Sequence, residues 1–202
     1  MKPSAPVPVR ERARRAVREE LVVLAQALFI ESGYEAVTVE EIAQAAGMSR
    51  RTFFRYFTSK EELMLGKYDV LADLLVEGLA ARPHDEPLWV SFRRSFDIVA
   101  DYFDAPERTA QAAENTRIIN AYPSLRAGLY ERLARLQERW VEIVCGRTGG
   151  QEPDDPRTAA LVGAAVSCLV AAKITWAECG QTRSLAELID ASMDTIAPVQ
   201  TA

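Results

Sequence analysis

The sequence predicts an all-α protein with an N-terminal three-helix helix-turn-helix head followed by a helical-bundle body. Three observations predict it. Apolar residues recur three and four apart along most of the chain, as on one face of a helix. Thr38, Ser49 and Ser59 stand where helix caps belong, and Glu41 and Glu62 complete two capping boxes. No stretch alternates apolar and polar residues as a strand does, and no internal repeat occurs.

The elements follow in order. Residues 1–9 are Pro-rich and read as a disordered arm. Val17, Leu21, Leu24, Ala25, Leu28 and Phe29 then line one helix face, and Gly33 ends that helix. Thr38 opens the short helix "VEEIAQAA", which stops at Gly47. Ser49 caps a second short helix, expected from about Arg50 to Phe57. Ser59 opens a long helix carrying Leu63, Tyr68, Leu71, Leu75 and Leu79, and "RPHDEP" breaks the chain after it. Trp89, Phe92, Phe96, Val99 and Phe103 form one further stripe. Pro106 is expected in the first turn of a helix running to about Asn120, and Pro123 starts the next. That helix repeats Leu125, Leu129, Leu133, Leu136, Trp140 and Ile143 on one face. Arg147 to Arg157 is the clearest loop. The segment "TAALVGAAVSCLVAAKITWAECG" is apolar almost all round, so every side of it must be covered, one side by a partner subunit. The last helix spans Leu185 to Ile196. The domains are then the arm at 1–9, a helix-turn-helix domain at 10–58 and a body at 59–202.

Composition narrows the function. The chain of 202 residues carries a net charge of −5. From Met1 to Lys67 there are 11 Lys and Arg against 9 Asp and Glu; beyond it there are 13 against 20. A basic head on an acidic body places an anionic partner at the head. Cys145, Cys168 and Cys179 form an odd set without a C-x-x-C, which suits a reduced, cytoplasmic protein with no metal site. The first residues lack the apolar core of a secretory signal, and no uncharged apolar run is long enough to cross a bilayer. His84 stands alone in a loop, without a P-loop, a G-x-S-x-G or a metal-ligand cluster, so an enzyme is not expected. No cofactor is expected either.

The stretch "GMSRRTFFRYFTSKEEL" carries the head's chemistry. Gly47 tolerates the positive φ of a tight turn between two crossing helices. Ala43 and Ala46 let the second helix approach closely. Phe53 and Phe57 are four apart and turn inward with Ile42, which leaves Arg50, Arg51, Phe54 and Arg55 outward and Tyr56 at the edge. Such a helix enters the major groove of DNA, where arginine pairs with guanine O6 and N7. The helix start at Ser59 and Lys60 favours phosphate.

At this point "TVEEIAQAAGMSRRTFFRYFTSKEELM" resembles the DNA-binding signature of the TetR family of bacterial transcriptional regulators, over about Arg12 to Leu71. The resemblance implies a homodimer whose heads bind DNA and whose helical bodies bind a small ligand. It implies a repressor, released from a palindromic operator by a small apolar or amphipathic molecule. A transcriptional activator, or a helical adaptor without a small-molecule effector, is the alternative. The candidate DNA-binding set is Thr38, Ser49, Arg50, Arg51, Thr52, Phe54, Arg55, Tyr56 and Lys60. The family often carries tyrosine where Phe54 stands, with its hydroxyl on a phosphate. Phe54 cannot do that: either it meets a thymine methyl or Tyr56 takes the phosphate. Arg10 to Arg15 suit neighbouring phosphates and a solvated helix end equally well.

The body segment "ENTRIINAYPSLRAGLYERLARLQERW" is similar to a group of actinobacterial TetR-type regulators that includes those linked to mycofactocin, which implies an acyl-coenzyme A type of effector. The expected pocket lining is Trp89, Phe92, Phe96, Phe103, Asn115, Arg117, Ile118, Asn120 and Trp176, with Tyr122 as a further polar partner. Arg117 beside "IIN" needs a buried anion, either an internal carboxylate or one from a ligand, or an exit to water. The family's dimer contact through its last two long helices falls on Val162, Ala165, Val166, Leu169, Lys173, Leu188, Ile189, Met193 and Ile196. The helix from Ser59 to Leu79 joins head to body and is the expected lever of induction.

Overall fold

The structure is a computed structural model that describes residues 9–105, 108–147 and 156–196. The expected arm through residue 8, the side chain of Arg12, Pro106 and most of the expected loop, at 148–155, lie outside the described residues. All regular structure among the described residues is helical. The chain divides into two compact units, Met1–Gly66 and Lys67–Ala202. The division falls inside a helix rather than at the expected 58/59 boundary, because that helix's first turn is bonded into the first unit.

The first unit begins with α1 (Val9–Ser32), which buries Leu21, Ala25 and Phe29. Gly33 ends it at φ 85°, and the Gly33 amide donates to the Phe29 carbonyl at 2.9 Å. Tyr34 then packs edge-on against Phe29, with centroids 5.0 Å apart. Thr38 and Glu41 form a complete capping box on α2 (Val39–Ala45), which buries Ile42 and Ala43. Gly47, at φ +64°, closes α2: the Met48 amide reaches the Ala43 carbonyl at 2.9 Å and the Gly47 amide that of Gln44 at 3.0 Å. A side chain at that φ would be strained, so the turn that aims the next helix depends on glycine.

Ser49 caps α3 (Arg50–Phe53). The helix is shorter than the expected Arg50 to Phe57. After Phe53 the backbone tightens, with Arg55 and Tyr56 amides bonding the Thr52 and Phe53 carbonyls three residues back. Two arginines of α1 reach over to the carbonyls left open there: Arg14 donates to Arg55 O at 3.3 Å and Arg18 to Tyr56 O. Cations at a helix C-terminus satisfy its free acceptors. α4 (Lys60–Ala80) starts under the Ser59 cap, and Glu62 of its first turn pairs with Arg18 at 3.6 Å.

The second unit holds the rest of α4 with α5 (Leu88–Ser95), α6 (Asp97–Asp104), α7 (Thr109–Ala121), α8 (Pro123–Arg147), α9 (Pro156–Glu178) and α10 (Leu185–Asp194). The stripe expected as one helix is two, broken at Phe96. The Phe96 amide is shared between the Phe92 and Arg93 carbonyls, both at 3.1 Å, and Ser95 Oγ donates back to Ser91 O at 2.8 Å. Such back-bonding bends a helix. The bend lets Phe92 and Phe96 both stack on Trp140, with centroids 5.1 and 5.4 Å away.

α9 packs against α7, α8 and α10 and is the core helix of this unit. By length and composition it could cross a membrane, but its apolar residues Val162, Val166, Leu169 and Trp176 are buried within the unit. The expected dimer set is corrected here. Val162, Ala165, Val166, Leu169, Lys173, Leu188, Ile189 and Met193 are buried inside one chain, and Ile196 is half-buried. The turn at Gly180 and Gln181, both at positive φ, lays α10 back on α9, and α7 and α8 pack on α9 too, so these rows are covered within the chain. On the opposite side of α9, Ala160, Ser167, Ala171 and Thr175 are exposed. The expected box at Ser59 is half made, since Glu62 takes the Thr58 amide and not that of Ser59, and the second complete box is Ser184 with Glu187 at the start of α10.

Candidate functional site

α3 is held by one face and free on the other. Phe53 is fully buried and Phe57 is 3% exposed, while Phe54 is 43% exposed. Arg50, Arg51 and Arg55 are exposed, and Thr52 and Tyr56 are partly so. Arg50 lies 5.5 Å over the Phe54 ring and 2.7 Å from the exposed carboxylate of Glu40. An exposed pair of this kind contributes about 0–1 kcal/mol, so an external anion can displace it. The surface thus offers three guanidinium forks and an aromatic ring within six residues, supported from below by a packed face.

Three members of the expected set are already bonded. Ser49 Oγ accepts the Thr52 amide at 3.1 Å and lies 2.9 Å from Thr52 Oγ1. Thr38 exchanges bonds with Glu41, whose carboxyl is held below its usual range by the Thr38 amide and hydroxyl. These two hydroxyls fix the helix starts. Lys60 departs further from its expected place. Its ammonium donates to the Tyr34 and Val37 carbonyls at 2.6 and 2.8 Å and sits 4.2 Å over the Tyr34 ring. Burial lowers its pKa, against the pull of Glu35 and Glu41. The same burial, with Glu61 and Glu35, pushes the Tyr34 hydroxyl up to about 12. Lys60 ties the α1–α2 turn to the start of α4. Arg14 and Arg18, bonded to the end of α3, have an internal role that Arg-rich sequence alone does not reveal.

The second unit contains a cavity of about 800 Å³ of atom-free space, its open mouth included. Its walls come from α4, α6, α7, α8 and α9, and most are aliphatic: Leu71, Leu75, Val99, Leu129, Leu133, Leu136 and Leu169. Tyr68, Phe103, Thr116, Asn120 and Lys173 supply its inner polar and aromatic groups, and Arg126, Tyr130 and Arg132 complete the lining. An apolar cleft with few placed polar groups is the form of a small-molecule site.

Of the nine expected ligand residues, Phe103 and Asn120 line this cavity. Phe92 and Phe96 are core around Trp140, and Trp89 packs edge-on against Phe92. Trp176 is fully buried, with its ring 5.8 Å from that of Phe103, and Ile118 is buried outside the lining. Arg117 is exposed and pairs with Glu114 at 2.9 Å, so its anion is internal to the helix surface. Asn115 is buried one layer behind the wall, where it and Thr116 share hydrogen bonds with the Tyr68 hydroxyl.

Sequence reasoning missed the group at the inner end. Lys173 Nζ donates to the Tyr68 hydroxyl at 2.5 Å, and Lys67 lies beside the same rings. Burial lowers the Lys67 ammonium to about 7. Burial, together with the charge of Lys67, holds Lys173 well below the usual lysine value, and burial raises the Tyr68 hydroxyl. The available signal was one lysine in the otherwise apolar "VAAKITW". His84 is exposed in a turn, and among the described residues no group of three or more His, Cys, Asp and Glu can hold a metal.

Residues 21–66 match the profile of "Bacterial regulatory proteins, tetR family", and residues 86–201 match that of the "MftR C-terminal domain". The HTH-type transcriptional regulator TcmR of Streptomyces glaucescens is 30% identical, over 94% of this chain and 87% of its own length. The putative mycofactocin biosynthesis transcriptional regulator MftR of Mycobacterium tuberculosis is 30% identical, over 92% of this chain and 91% of its own. Among solved structures, Thermus thermophilus FadR, a TetR-family repressor crystallised with lauroyl-CoA, superposes with a TM-score of 0.56 at 23% identity, covering 89% of this chain and 93% of that one.

Proposed function

The chain belongs to the tetR family of bacterial regulatory proteins, and from that premise we propose that it is a dimeric repressor released from a palindromic operator by an amphipathic ligand held in the body cavity. That it is a DNA-binding transcriptional regulator and not an enzyme follows from the family. The observation that carries the finer reading is the pairing, in one chain, of a free arginine face on α3 with an apolar cavity in the second unit.

On this reading Arg50, Arg51, Phe54 and Arg55 meet the major groove. Among the described residues no hydrogen bond or ion pair engages the exposed Arg51 side chain, which makes it the first candidate for guanine. Ser49 and Thr38 position the helices, and Tyr56 stands at the edge for phosphate. Two copies related by a two-fold axis read two half-sites, which gives the operator its symmetry. A ligand releases DNA only if it binds better to a body conformation whose heads misfit successive grooves. α4 carries the chain from one unit into the other and is the natural route for that coupling.

Lauroyl-CoA, the ligand of the structurally similar Thermus thermophilus repressor, is the first probe. Operator duplex obtained by selection from random sequence is bound to the protein, and lauroyl-CoA is titrated in. The expected result is release as the ligand saturates the body. Operator held as tightly by the saturated protein as by the free protein refutes the regulatory reading.

A further inference from the structure

The inner end of the cavity carries an amine that no carboxylate among the described residues pairs with, and a second amine stands beside the same rings. Lys173 comes from the middle of α9 and is 9% exposed. Its Nζ sits 4.0 Å from the Tyr68 ring centroid and 4.5 Å from that of Phe103. Lys67 Nζ lies 5.3 and 5.5 Å from the same two rings. Among the described residues no carboxylate offsets either lysine. Three arginines of this unit, by contrast, are paired: Arg132 with Asp69 at 3.1 Å, Arg139 with Asp73 at 2.7 Å, and Arg93 with Asp97 at 2.5 Å.

A methionine at either position would fill space without the cost of burying an amine. The two rings offer each ammonium a weak electrostatic contact, which does not replace a counter-ion. Tyr68, Phe103 and Lys173 all line the cavity, so the unpaired Lys173 amine faces the space a ligand would enter.

We propose that Lys173 and the Tyr68 hydroxyl form an anion subsite, with Lys67 behind the same rings, and that the effector is an amphipathic carboxylate. It enters charged end first, and its apolar part lies along Leu71, Leu75, Leu133 and Leu136. This rests on the reading of the body cavity as the effector site. A carboxylate suits the subsite because its two oxygens match two donors, one of the two remaining N–H groups of the Lys173 ammonium and the Tyr68 O–H. A thioester brings no charge to this end. Burial holds both amines below their ordinary range, so a carboxylate bound beside Lys173 favours the ammonium form, and the amine takes up a proton.

Isothermal titration of the full chain with dodecanoate, dodecanol and lauroyl-CoA tests this. Dodecanoate is expected to bind about ten- to a hundredfold more tightly than dodecanol, the range for hydrogen bonds to a charged group. Tyr68→Phe and Lys173→Met should each move that ratio toward one; Tyr68→Phe keeps the ring and carries the test if Lys173→Met does not fold. Equal affinities in the wild-type chain, or no binding of dodecanoate, overturn the proposal. Binding of lauroyl-CoA without a preference for dodecanoate overturns the subsite and leaves the effector cavity standing. A dodecanoate preference without release of operator supports the subsite and refutes the regulatory reading.

Discussion

Replacing Lys60 with methionine should unfasten the head without removing a DNA contact. The substitution keeps most of the apolar stem but deletes two bonds from a cation, to the Tyr34 carbonyl at 2.6 Å and the Val37 carbonyl at 2.8 Å. Hydrogen bonds to charged groups contribute about 1.5–3 kcal/mol each, and half-buried Lys60 belongs at the lower end. Loss of the ammonium over the Tyr34 ring adds about 0.5–1 kcal/mol. The head should therefore lose about 3.5–4 kcal/mol. All three tryptophans, Trp89, Trp140 and Trp176, lie in the second unit, so their fluorescence reports the body. Amide hydrogen exchange of α1 to α3 reports the head and should show the loss. Operator affinity measured against salt separates the two roles of this lysine. A lost phosphate contact makes the log–log slope shallower by about 0.9 per chain, whereas a lost internal tie leaves it unchanged. Unchanged exchange in the head together with a slope shallower by that amount would refute the reasoning and return Lys60 to the phosphate backbone.

Three further outcomes are expected. Phe53→Ala should destabilise the head by about 3–5 kcal/mol, because the ring is fully buried, while Phe54→Ala should stay within about 0.5 kcal/mol and still weaken operator binding; parallel denaturation and DNA-binding curves check both. Arg51→Ala should relax preference at particular base positions by about 1–3 kcal/mol each, read from a binding-specificity profile, and a profile that does not change removes Arg51 from base readout. The third concerns pH. The folded pKa of Lys67 is lowered to about 7 from 10.5, so the unfolded chain binds more protons between those values. The contribution of Lys67 to stability is then fully present above the unfolded pKa and is lost as pH falls toward 7. Lys67→Met should flatten the rise in stability between pH 7 and 10, measured by urea denaturation; an identical rise in both proteins would deny that Lys67 is held neutral.

The head was legible because its signals are local. Thr38 with Glu41, Gly47 and Ser49 each dictate backbone within a turn, and the structure places each in its expected cap. The end of α3 was not legible, because Arg14 and Arg18 set it from 38 to 41 residues away. The body was legible in its helices and less so in their faces. Phe92 and Phe96 had the look of pocket aromatics, but stacking on Trp140 consumes them, and the cavity is walled by leucines that no pattern separates from ordinary core. The expected dimer row on α9 and α10 obeyed helical periodicity, yet periodicity names a buried face without saying what covers it. Here α10 covers it. Lys173 fell into that row for the same reason, and only the fold shows it beside Lys67 and Tyr68.

Selection of bound duplexes from a random-sequence pool tests most directly whether α3 reads DNA as one of a two-fold pair. The account predicts enrichment of an inverted repeat whose half-sites lie about one helical turn or a multiple of it apart. It also predicts that Arg51→Ala loses the same bases from both halves. A pool that stays unenriched, or one that yields a single asymmetric site, would contradict it.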